Sequence, residues 1–222
     1  IYSGNMDKKI MTLLCSGLIT TAASAQRFED FFEDNTLRID YIFAGDHQNQ
    51  AIYVDELNKT PQWAGRKKRL AELPLAGNGQ LTVKDKATGQ VIYRHSFSSL
   101  FQEWLGEEEA TRTHKSFENC FQSPFPKAPV TVTVDLYGFH RNVIATYTHD
   151  VDPTDALIAH RRYRQTTPHK TVLSNGSLDE CIDVVFVAEG YTQDEMDTFY
   201  KDVEIGMNSL FRHSGFKENK HK

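Results

Sequence analysis

Catalysis needs groups that converge, so the chain is first read for residues whose type and spacing could do chemistry. The nine histidines are His47, His95, His114, His140, His149, His160, His169, His213 and His221. No two of them lie three to five residues apart, so no helix aims a pair at one metal ion. The three cysteines, Cys15, Cys120 and Cys181, form no Cys-x-x-Cys. There is no Gly-x-Ser-x-Gly, and no Gly-rich loop ends in Lys-Ser or Lys-Thr. Local spacing therefore assigns no catalytic, no cofactor-binding and no metal residue.

Four features invite closer reading. Arg66-Lys67-Lys68-Arg69 could hold an anion, but such a run before Leu70 reads first as a solvated turn. Glu107-Glu108-Glu109 lacks the spaced oxygen ligands of a calcium loop and reads as solvated. Phe28, Phe31, Phe32, Trp63, Trp104, Phe117, Phe121 and Phe125 could line a sugar or peptide groove; aromatics at this density are more often core. Glu189 ends an apolar run, where α/β proteins place functional groups, and also stands in a turn.

These residues need elements to position them. From Thr36 to about Asp150 the pattern is β. Leu37, Ile39 and Tyr41 alternate with Arg38, Asp40 and Ile42, and Ala51 to Leu57 is a second short run. Leu81 to Lys84 and Gln90 to Phe97 flank Asp85-Lys86-Ala87-Thr88-Gly89 as a hairpin. Val130 to Leu136 sends its valines and leucine one way and its threonines and aspartate the other. After a turn at Tyr137 to Asn142, Val143 to His149 returns. Short strands separated by turns predict an antiparallel β-sandwich over 26–150, interrupted by one helix from Ser98 to Leu105. Residues 151–180 are rich in turn residues and read as a connector, with a short helix over Thr154 to Arg162. From 181 to 222 the texture changes. Ile182 to Ala188 is nearly continuous apolar sequence, as in a strand buried on both faces. Thr192 and Glu195 make a capping box, and Met196, Phe199, Tyr200, Val203, Met207, Leu210 and Phe211 keep helical spacing. The expected fold class is mainly β: an antiparallel β-sandwich followed by the first strand–helix unit of an α/β domain.

The start of the chain carries a different signal. Residues 1–5 precede Met6, and residues 6–25 have a basic start, an apolar run and the small-residue end Ala23-Ser24-Ala25. That is the form of a secretory signal peptide cleaved between Ala25 and Gln26. The apolar stretch is too short for the roughly 20 residues of a membrane span. The expected location is secreted, periplasmic or cell-surface. With 25 basic and 30 acidic residues the formal net charge is −5, which argues against nucleic acid as a partner. Cys120 and Cys181 are expected as two separate buried thiols, with a bridge open to an exported chain.

The string Val184-Val185-Phe186-Val187-Ala188-Glu189-Gly190-Tyr191-Thr192, with Glu195-Met196 and Phe199-Tyr200, resembles the start of the catalytic domain in the IgA peptidase family of secreted zinc metallopeptidases. Leu37 to Gly45, Trp63-Ala64-Gly65-Arg66, Ser98 to Leu105 and Val151 to Asp155 resemble that family's N-terminal β domain. The resemblance implies a zinc motif of the His-Glu-x-x-His type, two histidines one helical turn apart with a glutamate that activates water. No part of that motif occurs here, so no site residue carries over. The resulting expectation is the non-catalytic N-terminal portion of such a peptidase. It would be inactive alone, with zinc held only by the intact parent protein and a protein or glycoprotein substrate met through the intact enzyme. On this reading residues 181–222 are the truncated start of the catalytic domain. The alternative is a stand-alone secreted β-sandwich module that binds glycan or peptide.

Overall fold

The computed structural model describes residues 27–73, 75–162, 167–177 and 179–221. The proposed signal peptide and its cleavage site, and Cys15, lie outside the described residues. The chain is mainly β, as its alternation predicts. Its elements run α1 (Phe28–Phe31), β1 (Phe32–Gly45), β2 (Gln50–Pro61), β3 (Gly79–Asp85), β4 (Val91–Phe97), α2 (Leu100–Trp104), β5 (Lys115–Pro126), β6 (Val130–Tyr137), β7 (Val143–Val151), β8 (Ala159–His160), α3 (Met196–Leu210) and α4 (Ser214–Glu218).

Two four-stranded sheets form, in the orders β5-β1-β2-β8 and β4-β3-β6-β7. All pairings are antiparallel except the short parallel contact of β8 with β2. Alternation decides which side of each strand is dry. Leu37, Ile39, Tyr41 and Phe43 of β1 and Val130, Val132, Val134 and Leu136 of β6 are all buried. A one-residue slip would turn either row into water, which fixes the register. Where the chain cannot keep the alternation it bulges: Asp40 faces Glu56 but Tyr41 faces Val54, leaving Asp55 as the extra residue on β2.

Aromatic rings join the sheets. Phe97 of β4 lies 4.1 Å, centroid to centroid, from Phe121 of β5, and Phe43 of β1 packs on both. Gly79 makes room for this cluster, since a Cβ there would meet the Phe97 ring at 2.2 Å. On the same buried level the Tyr41 hydroxyl lies 2.6 Å from His149 Nε2 of β7. The β3–β4 hairpin turns through Gly89 at φ +73°, a conformation that glycine adopts without strain. Pro124 and Pro126 fall on β5, an outermost strand, where a missing N–H leaves no interior ladder broken. The predicted helix near residue 100 forms as α2. Its Ser99 N-cap accepts from the Gln102 amide, and Phe101 and Trp104 face the core.

Three local expectations are corrected. Thr154 to Arg162 is not helical. Asp152 and Asp155 cap tight turns with their side chains, and the chain then runs straight as β8 along β2, with the Arg161 amide donating to the Lys59 carbonyl. Ile182 to Ala188 is not a strand. A strand needs a neighbour for its backbone groups, and among the described residues nothing pairs with it, so Ile182 (79% exposed) and Val185 (81%) meet solvent. Cys120 is exposed rather than buried, on the outward side of edge strand β5, and both Cys120 and Cys181 are free thiols. The capping box at Thr192 and Glu195 forms as read, and α3 follows it. Only Phe199 and Val203 of its apolar face are buried. Phe199 stacks on Tyr191 at 5.2 Å, and the Tyr191 hydroxyl donates to Asp202.

Candidate functional site

The groups singled out in the sequence do not converge. Among the described residues no group of three His, Cys, Asp or Glu side chains comes together as a metal site. The histidines instead take separate partners. His47 Nδ1 lies 3.1 Å from the Leu105 carbonyl. His114 Nε2 lies 2.8 Å from Asp46, and His149 meets Tyr41. Asp46 also accepts from the amides of Gln48 and Asn49, and these backbone bonds hold its carboxyl below the usual carboxylate range.

The aromatic residues considered for a groove are core. Phe28, Phe32, Trp63, Trp104, Phe121 and Phe125 are buried, and Phe31 and Phe117 pack against them. Glu189 is exposed in a turn completed by Gly190 at φ +85°. In the Glu107–Glu109 run, Glu108 pairs with Arg112. Glu109 accepts from the Trp104 indole and from Lys115, and these bonds lower its pKa. Both are surface ion pairs.

Two surfaces remain. The first is an open depression of about 450 Å³ at the β1–β2 end of the first sheet, lined by Gly45, Asn49, Gln50, Tyr53, His114 and Ser116 among others. Tyr53 is 57% exposed there, beside two carboxamides. The second lies at the Arg66–Arg69 loop, which is not a simple solvated turn. The Arg66 guanidinium reaches inward to three carbonyls, those of Leu70, Glu72 and Arg94, at 3.3, 2.6 and 3.0 Å. The Trp63 indole N–H donates to the Arg66 carbonyl at 2.9 Å. So fixed, the loop turns two successive backbone N–H groups, of Lys67 and Lys68, toward Asp179 Oδ1 at 2.5 and 3.1 Å. Arg69 Nη2 donates to the Asp179 carbonyl, and Lys68 lies 3.6 Å from Glu180. Sequence reading passed over Asp179. The signal was available in the opposite charge of two tracts, Arg66–Arg69 and Asp179-Glu180, far apart in the chain.

This defines a mainly β unit whose described residues bring together no group of three His, Cys, Asp or Glu side chains as a metal site. A family model described as the peptidase M64 N-terminus matches residues 27–148, more than half of the chain, and the chain belongs to that family. The match spans the sandwich from α1 into β7. No curated protein matches the chain.

Proposed function

We propose that this chain is the non-catalytic N-terminal portion of an exported zinc metallopeptidase resembling the IgA peptidases, inactive by itself, with the sandwich flanking a catalytic unit that begins near Cys181. The observation that carries the reading is the family match: the sandwich belongs to the N-terminus of a peptidase family. The resemblance of 184–200 to the start of a catalytic domain supports the position of the boundary. The described residues do not fit a zinc ion, since they bring no three ligands together. No step of hydrolysis is therefore assigned to them, and zinc and water activation belong to the intact parent protein. A protein or glycoprotein substrate would meet this chain as part of that enzyme. Among the described residues no helix is long and apolar enough to cross a membrane. Export rests on the signal sequence before Gln26.

The test is metal analysis and protease assay of the purified chain. Well under one zinc per chain and no chelator-sensitive cleavage of casein are expected. One tightly held zinc together with chelator-sensitive cleavage would overturn the reading. A second reading, a glycan- or peptide-binding module, draws on the depression beside Tyr53. Glycan and peptide arrays probed with the chain and with Tyr53→Ala separate the two, because only the module loses a bound ligand.

A further inference from the structure

We propose that the Arg66–Arg69 loop is a built acceptor site for the acidic pair Asp179-Glu180, a latch that fixes where the segment beginning at Cys181 leaves the sandwich. The loop owes its form to the sandwich. Arg66 ties it to β4 through the Arg94 carbonyl, and Trp63 holds the Arg66 carbonyl. Lys67 directs its ammonium away from the latch, to Asp34 at 3.0 Å and over the Phe28 ring. What the loop presents at Asp179 is therefore two backbone N–H groups and the Arg69 guanidinium. Successive amides aimed at one point form an anion-accepting nest, and a carboxylate accepting two such bonds is held by charge-assisted hydrogen bonds. Arg69, which follows these two amides, sits at φ +50°, in the left-handed region.

The other end of the connector is fixed too. The Arg161 guanidinium meets Asn58 Oδ1 and both Glu56 oxygens, beside β8. Between these two points, residues 167–177 are exposed. The connector is thus pinned at Arg161 and Asp179, and between them Lys170 lies 4.7 Å over the Tyr200 ring and Asn175 donates to the Lys220 carbonyl. Arg161 and Asp179 set where the segment beginning at Cys181 leaves the sandwich. The latch is a contact within this chain, so it stands or falls separately from the peptidase reading.

The experiment uses the whole chain and measures amide hydrogen exchange and tryptic nicking in wild type, Asp179→Ala, Asp179→Asn and Glu180→Gln. In wild type the amides of Lys67 and Lys68 exchange slowly and cleavage after Lys67, Lys68 and Arg69 is slow. In Asp179→Ala both rates rise tenfold or more, while Val132 and Val134 in the core keep their protection. Asp179→Asn, which still accepts through its carboxamide oxygen, shows a smaller rise and covers the case in which the alanine variant does not fold. Glu180→Gln changes both rates less than threefold, since its pair with Lys68 is solvent-exposed. Unchanged Lys67 and Lys68 exchange in Asp179→Ala and Asp179→Asn overturns the proposal. So does a loss of protection spread equally over loop and core.

Discussion

Replacing Tyr41 by Phe would test how the two sheets are held in register. Tyr41 is fully buried, and its hydroxyl has one partner, His149 Nε2 at 2.6 Å. Burial pushes the phenol far above its ordinary pKa, so it stays an O–H donor at every working pH. The imidazole then accepts at Nε2 and carries its proton on Nδ1, which faces the Asp150 carbonyl at 3.4 Å. Phenylalanine keeps the ring and opens no cavity, so the cost is the lost bond and an acceptor left without its donor. A buried group so stranded costs about 1–3 kcal/mol. His149 is only half-buried, which places the expected loss at about 1–2 kcal/mol. With a urea dependence of about 2 kcal/mol per molar, the unfolding midpoint should drop by roughly 0.5–1 M. Fluorescence of Trp63 and Trp104, both buried, reports the transition at pH 7.5. The same contact predicts a pH effect. Burial lowers the pKa of His149 in the folded state. A depressed folded value means that the contribution is complete above the unfolded pKa of about 6.5 and is lost as pH falls through the folded value. His149→Gln retains an acceptor and should flatten the stability profile below about pH 6.5 relative to wild type. A midpoint for Tyr41→Phe within about 0.15 M of wild type, at the same slope, would refute the reasoning.

Three further outcomes are expected. Phe97→Ala removes the ring that bridges the sheets at Phe121 and should cost about 3–5 kcal/mol in the same urea assay. Ser99→Ala deletes the N-cap of α2 and should cost about 1 kcal/mol, seen as a correspondingly smaller midpoint shift. The exported protein should begin at Gln26, which intact mass measurement of the secreted product checks.

The sandwich was legible because its signal is local. In Val130 to Leu136 each side chain announces its own face, and the structure follows residue by residue. The same holds for the Thr192–Glu195 capping box, which needs only four residues to be satisfied. The strand expected over Ile182 to Ala188 shows where such reading ends. Its apolar run reports what the segment would bury, and says nothing about whether a partner edge is present to receive its backbone. β8 was missed for the complementary reason. Two residues carry no periodicity, and Ala159 and His160 become a strand only because β2 offers them an edge. The acceptor loop was half legible: the charge of Arg66–Arg69 is plain, but that Arg66 points inward to three carbonyls follows from tertiary structure alone.

β8 has a consequence for how copies of this chain behave toward one another. An outer strand with unpaired amides and carbonyls is a template on which a strand from another molecule can grow. On the β2 side of the first sheet, Ala159 and His160 occupy that template opposite Asn58 and Lys59, and Arg161 extends the cover by one more hydrogen bond. On the opposite side, β5 is longer but defends itself with Lys115 and Glu118 along its length and with Pro124 and Pro126 near its end. A two-residue strand thus covers the Asn58–Lys59 end of that edge. A variant in which Arg161 could no longer hold it down would bare that end of β2 as well, lengthening the open edge on which a second copy could add a strand, without any change in the core.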